Sequence, residues 1–236
     1  MIDTVAANQR KYLPSAGRDV FLPFYDLIAK LLGADQARQT LLDQAPLRPG
    51  DRALDIGCGT GTFAVALKQR HPSVEMVGID PDERALARAK RKAERAGVKI
   101  RFQRGFADSL EYPAATFDVV FSSFMFHHLE GNNREKTLRE VCRVLKPRGA
   151  FYLLDFEVSH PESHHGLFSL FHSSERLRDN SERQILTLMS RAGFSEVKKT
   201  GTRPVLLGLT RAGYYRASGL SGTVSNVSYS QYRQPQ

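Results

Sequence analysis

The chain has 236 residues, a formal net charge of +9 and 41% apolar residues. This length and composition suit one globular domain with an appended lid, and no apolar run approaches the ~18 residues of a membrane-spanning helix. Two cysteines in unlike surroundings, Cys58 in a glycine loop and Cys142 in a helix, argue against a disulfide framework and for a reducing, cytoplasmic setting.

The first nineteen residues, MIDTVAANQRKYLPSAGRD, hold no apolar stretch of the secretory-signal kind. DVFLPFYDLIAKLLG has apolar residues spaced for one helical face, with Gly33 as its stop, and ADQARQTLLDQAPL reads as a second, shorter helix. Residues 1–47 are thus expected to form a helical cap. After the turn RPGD, the strand RALDI runs into a glycine-rich loop and the helix TFAVALKQRH. Strand and helix then alternate: VEMVGID, a basic helix, KIRFQRG, the loop FADSLEYPAA, FDVVFSSF, the helix NREKTLREVCRVLKP ended by Pro147 and Gly149, and AFYLLDF. FDVVFSSF is apolar without alternation, as a strand covered on both faces should be. This order predicts a doubly wound, mainly parallel sheet with helices on both sides. A His- and Ser-rich insertion at 156–180 breaks the rhythm. A helix ending at Gly193 and two closing strands, expected to be antiparallel, complete a domain spanning 48–217. The remainder, 218–236, reads as a polar tail.

Much of the positive charge lies between Glu83 and Arg101, where Ala85, Leu86, Ala89, Ala93 and Ala96 form an apolar stripe and Arg and Lys fill the other faces. A solvated helix face is favoured over a nucleic-acid patch, because no aromatic residues interleave with the charges to stack on bases.

The loop Gly57-Cys58-Gly59-Thr60-Gly61 places three glycines at alternate positions between strand and helix. Such a unit offers backbone N–H groups and a helix N-terminus to a ligand, and glycine lets that ligand approach the main chain. The dinucleotide fingerprint G-x-G-x-x-G is not met, since Thr62 stands at its third glycine. Asp55, beside the loop, would repel a pyrophosphate and attract an ammonium group. Asp80, at the end of the next strand, is placed to accept ribose hydroxyls. A ligand with a ribose and a positive charge but no diphosphate is implied, and S-adenosylmethionine meets that description. Each carboxylate also has a plainer role available, Asp55 as a cap of the helix after the loop and Asp80 as a cap of the basic helix.

The blocks LDIGCGTG, GIDPD, FADSL, FDVVFSSFMFHHL and LREVCRVLKPRGAFYLLDF resemble, in order and spacing, the class I S-adenosylmethionine-dependent methyltransferases, most closely the small-molecule branch that includes ubiquinone/menaquinone-biosynthesis methyltransferases. The resemblance covers about Arg48 to Phe156, and LMSRAGFSEVKKT extends it. It implies a Rossmann-like sheet of seven strands with an antiparallel last strand. It also implies that Asp55 orients the methionine ammonium, and that Gly57, Cys58, Gly59 and Gly61 form the loop against the methionine part. Asp80 takes the ribose hydroxyls, Pro81 lies against the adenine, Ala107 bonds the adenine through its backbone, and Ser122 lines the methionine pocket. Many relatives carry an Asp after the glycine corresponding to Gly105 that holds the adenine amino group; here Phe106 stands there, and Asp108 is the expected substitute.

Methyl transfer from a sulfonium is a direct displacement, in which the protein supplies alignment, exclusion of water and, for a protonated nucleophile, a base. His127 and His128 follow the fourth strand and are the candidate bases. Tyr12, Phe24, Tyr25, His165 and Tyr214 are candidates for the substrate pocket. The histidines of the insertion have no acidic or thiol pair to complete a metal site, so no metal is expected. The resemblance implies a small-molecule acceptor, and the absence of an Asn-Pro-Pro-Tyr-like sequence after the fourth strand disfavours amino methylation of adenine or cytosine in nucleic acid. A nucleic-acid or protein methyltransferase, and a cofactor-binding scaffold without turnover, are the alternatives.

Overall fold

The computed structural model describes residues 33–157, 180–205, 208 and 210–220. Tyr12, Phe24, Tyr25 and His165, the first expected helix, most of the 156–180 insertion and nearly all of the polar tail lie outside the described residues.

Seven strands form one sheet: β1 (Arg52–Ile56), β2 (Glu75–Asp80), β3 (Arg101–Arg104), β4 (Phe117–Ser123), β5 (Leu145–Glu157), β6 (Phe194–Val205) and β7 (Thr210–Leu220). Their order is β3-β2-β1-β4-β5-β7-β6. The first five strands run parallel, and β7 is antiparallel to both β5 and β6. From β1 the chain builds outward to β2 and β3, then returns to lay β4 on the other side of β1. This reversal opens a crevice at the carboxyl ends of β1 and β4, the usual ligand position in such sheets.

Strand alternation assigns the two faces. Ala53, Phe121, Tyr152 and Leu154 pack with α1 (Ala34–Asp43), α2 (Thr62–Arg70) and α3 (Glu83–Arg95). Leu54, Ile56, Val120, Phe151 and Leu153 pack with α4 (Asn132–Val144) and α5 (Glu182–Ala192). The expected stripe on α3 is buried at Ala85, Leu86, Ala89 and Ala93, with Ala96 partly so. Arg88, Lys90, Arg91 and Arg95 stay at least partly exposed, as a solvated face requires.

Two boundaries differ from expectation. The helix expected to reach Pro147 ends at Val144, and Leu145 is already extended and pairs with Phe117 of β4. The residue before a proline disfavours helical geometry. Here Lys146 instead forms an ion pair with Asp118 at 2.7 Å, while Leu145 is buried against β4. Residues 218–220, expected to open the tail, belong instead to β7, which runs to Leu220 and pairs there with Phe194.

Candidate active site

The three loop glycines all have positive φ: 67° at Gly57, 52° at Gly59 and 76° at Gly61. Two of them differ in their surroundings. A Cβ on Gly57 would lie 2.2 Å from Cγ of Met125, in the turn after β4, whereas the α-carbon of Gly59 faces open space. The first glycine thus allows the β1 and β4 turns to approach each other, and the second leaves main chain accessible to a ligand. Gly61 is the N-cap of α2, and no side chain caps that helix. Lys92 of α3 tethers the loop from below, its Nζ donating to Oγ1 of Thr62 at 2.6 Å and of Thr60 at 3.1 Å.

Asp55, at the end of β1, is 1% exposed, and neither carboxylate oxygen has a hydrogen-bond partner. It therefore does not cap α2. Burial raises its pKa from 3.8 to about 8; nearby Arg38 opposes that rise, and the Asp80 carboxylate adds to it. A buried acid in this condition suits a cation.

Asp80 is also buried, but engaged. Its Oδ2 accepts from the Gly59 N–H at 2.8 Å and its Oδ1 from the Asp82 N–H at 2.9 Å. Burial raises its pKa to about 6 against the pull of those two backbone donors. Asp82, not Asp80, caps α3, accepting from Arg84 N and Ala85 N. Asp80 is thereby left to join the tips of β1 and β2.

The cleft between these tips is lined by Gly57, Cys58, Gly59, Asp80 and His128 of the expected residues, and by Arg38, Ser123, Phe124 and Met125, which sequence reasoning did not select. Ser122 is fully buried, its hydroxyl without a partner, and it is Ser123 that reaches the cleft. Pro81, Ala107 and Asp108 are half-buried at the tips of β2 and β3 and do not line this cleft. The β3 loop is nonetheless tied to Asp80, since the Gly105 N–H donates to its carbonyl at 3.2 Å. Tyr214 lies under α1, 1% exposed, its hydroxyl donating to Ala37 O at 3.2 Å.

The two histidines separate. His127 is buried: Nδ1 lies 2.6 Å from Oδ1 of Asp155, and its backbone N–H donates to Oδ2 at 2.9 Å. Burial would raise the pKa of Asp155, but the charge and hydrogen bond of His127, with the N–H groups of Phe156 and His127, outweigh it and hold the carboxyl below 3.8. The His127 ring packs 4.0 Å from that of His128, centroid to centroid, and it is His128 that lines the cleft. The turn delivering them begins at Phe124, a non-glycine residue with φ of 55°. Such strain persists where surrounding contacts over-determine it. Here the Phe124 N–H donates to Leu154 O at 2.8 Å, and its ring meets Phe156 at 4.8 Å.

A doubly wound sheet with a glycine loop and two buried acids at its switch point marks an α/β protein with a ligand crevice at the carboxyl ends of its strands. Comparison narrows the class. Residues 53–149 match the family model described as a methyltransferase domain. Over 137 residues the chain is 41% identical to demethylmenaquinone methyltransferase of Thermus thermophilus, covering 57% of this chain and 61% of that protein. Over 118 residues it is 40% identical to 27-O-demethylrifamycin SV methyltransferase of Amycolatopsis mediterranei, covering 49% of this chain and 42% of that protein. The match thus spans about three fifths or less of these relatives' length. The fold is shared with a SAM-dependent methyltransferase from Aquifex aeolicus, with a TM-score of 0.62 at 22% identity over 81% of this chain and 96% of that one. Residues 53–149 thus match a methyltransferase domain, and the chain is similar to S-adenosylmethionine-dependent methyltransferases in sequence over that region and in fold.

The cleft fits that cofactor. The Asp55 carboxylate is buried at the end of β1 without a hydrogen-bond partner, a condition that suits a cation, and the open face of Gly59 admits main-chain contact. Among the described residues no helix is long and apolar enough to cross a membrane.

Proposed function

We propose that this chain transfers the methyl group of S-adenosylmethionine to a small organic acceptor. The observation that carries this reading is the buried, unpartnered carboxylate of Asp55 beside a glycine loop whose N–H group is held by Asp80. The cofactor supplies an electrophilic methyl group on a sulfonium, and the protein has to align it and exclude water. Asp55 would hold the ammonium and Asp80 the ribose hydroxyls. The main chain at Gly57, Cys58 and Gly59 would line the methionine part, while Pro81, Ala107 and Asp108 would border the adenine. The relatives named for demethylmenaquinone and 27-O-demethylrifamycin SV support an organic small-molecule acceptor.

His128 is the base of choice for an acceptor that must lose a proton, because it reaches the cleft and His127 does not. His127, clamped by Asp155, braces the His128 ring from behind. Replacing His128 with alanine should lower kcat by about 10²-fold or more while changing cofactor affinity less than about threefold. Steady-state rates and calorimetry on the same preparation check this, and an unchanged rate removes His128 from the mechanism.

The overall reading is tested by incubating a cell extract with the protein and methyl-labelled S-adenosylmethionine. Label is expected in an organic-extractable small molecule by mass spectrometry. Label confined to nucleic acid or protein, or none at all, would refute the proposal.

A further inference from the structure

The segment between β3 and β4 carries Ala107 and Asp108, yet it contributes no strand or helix that would fix its shape. Its shape is fixed from α4 instead. We propose that Arg143 and Glu140 are positioning residues that hold this loop in one conformation and thereby set the protein's preference for adenine; the inference rests on the methyltransferase reading above.

The two residues stand three apart on α4 and share a face. Arg143 grips Glu140 as a fork, Nε donating to Oε1 and Nη2 to Oε2, each at 2.7 Å. The same guanidinium reaches the loop: Nη2 donates to Leu110 O at 2.9 Å and Nη1 to Tyr112 O at 2.6 Å. Glu140 closes the ring, its Oε2 accepting from the Leu110 N–H at 2.7 Å. Both main-chain groups of Leu110 are thus held by one ion pair. An isolated surface pair would contribute little, but this one ties two segments 30 or more residues apart. The helix end is tied back in turn, since the Ala115 N–H donates to Arg143 O at 2.9 Å and the Thr116 N–H to Val144 O at 2.8 Å.

The loop's other end is anchored at Gly105, whose N–H donates to Asp80 O at 3.2 Å. Only residues 106–109 remain between the anchors, and the Ser109 N–H donates to Phe106 O at 3.2 Å, closing them into a turn. A tip fixed at both ends has little left to order on binding. Neither Arg143 nor Glu140 lines the cleft, so their effect passes through the loop. Adenine offers an acceptor at N1 and a donor at its amino group, whereas hypoxanthine offers a donor at N1 and an acceptor at O6. A rigid main-chain tip matches one pattern and leaves the other unpaired, while a loose tip turns away from both.

The test is calorimetry on the full chain with S-adenosylhomocysteine and its hypoxanthine counterpart, S-inosylhomocysteine. The unaltered protein should prefer the adenine compound by about thirtyfold, the size of one well-made hydrogen bond against one left unpaired. Arg143→Lys keeps the charge but loses the fork, and should cut the preference to about threefold or less, mainly by weakening the adenine compound. Glu140→Gln keeps the volume and one acceptor oxygen, and should fall between. Leu138→Ala, an apolar side chain buried in the same helix, should lower stability and leave the preference intact. An unchanged preference in both Arg143→Lys and Glu140→Gln would overturn the proposal, because a purely structural role lowers both affinities together. So would an equal loss of preference in Leu138→Ala. An unaltered chain that binds both compounds alike would also overturn it while sparing the methyltransferase reading. Failure of the unaltered chain to bind S-adenosylhomocysteine would refute that reading, and this inference with it.

Discussion

Asp80→Ala is expected to abolish measurable binding of S-adenosylmethionine near pH 7.5, a loss of ~10²-fold or more. Two effects combine. A hydrogen bond to a charged acceptor contributes about 1.5–3 kcal/mol, and two ribose hydroxyls would share this carboxylate. Asp80 also holds the Gly59 N–H at 2.8 Å and the Asp82 N–H at 2.9 Å, so alanine would release the glycine loop as well. Asp80→Asn keeps one acceptor oxygen and should fall between alanine and the unaltered protein. The pH dependence follows from burial, which raises the Asp80 pKa from 3.8 to about 6. The ionised form is the one that accepts from hydroxyls, so affinity should decline as pH drops through about 6. Calorimetry at pH 7.5 and pH 5 measures both effects, and near-normal affinity of the alanine variant would defeat the assignment.

The second large effect concerns protons. With a pKa of about 8 in the free protein, Asp55 is mostly protonated at pH 7. An ammonium group placed against it would favour the ionised form. Cofactor binding at pH 7 should therefore release up to about nine-tenths of a proton. Calorimetry in buffers of different ionisation enthalpy reads this directly, and the release should vanish in Asp55→Asn along with most of the affinity. A binding enthalpy independent of buffer would contradict the role.

The same shift has a stability consequence, with a definite sign. A carboxyl whose pKa is raised on folding contributes stability that is fully present below about 3.8 and is lost as pH rises through about 8. Asp55→Asn should accordingly raise the unfolding temperature of the free protein at pH 8.5 more than at pH 5. The ligand-binding group thus weakens the empty protein at neutral pH, a common arrangement where function needs a buried charge.

Much of the site was legible because it is local. Asp55 and the glycine loop lie within one strand–turn–helix unit, and Asp80 ends the adjacent strand. The hydrophobic pattern alone places these on neighbouring parallel strand tips. The expected capping roles of the two acids were decided by geometry: Asp82 lies two residues nearer the start of α3, and Gly61 precedes α2 without a side-chain cap. The separation of His127 from His128 was not legible. It depends on the left-handed turn at Phe124 and on Asp155, 28 residues further along the chain. The same turn follows Ser122 and Ser123, and the cleft takes the second of them. Tyr214 reads as a pocket residue by its place near the chain's last strand, yet its hydroxyl supports the backbone of α1.

The order of alternating elements, the glycines that need positive φ and the acids at two strand ends were determined by the sequence alone, because each depends on backbone sterics or on periodicity over a few residues. The tertiary structure alone decided the partners of those groups: which histidine meets the cleft, that Val144 and not Pro147 ends its helix, and that Arg38 stands beside Asp55. The physical reason is separation along the chain. Such contacts depend on which strands pair and on how a helix is fastened across them, and no local preference encodes that.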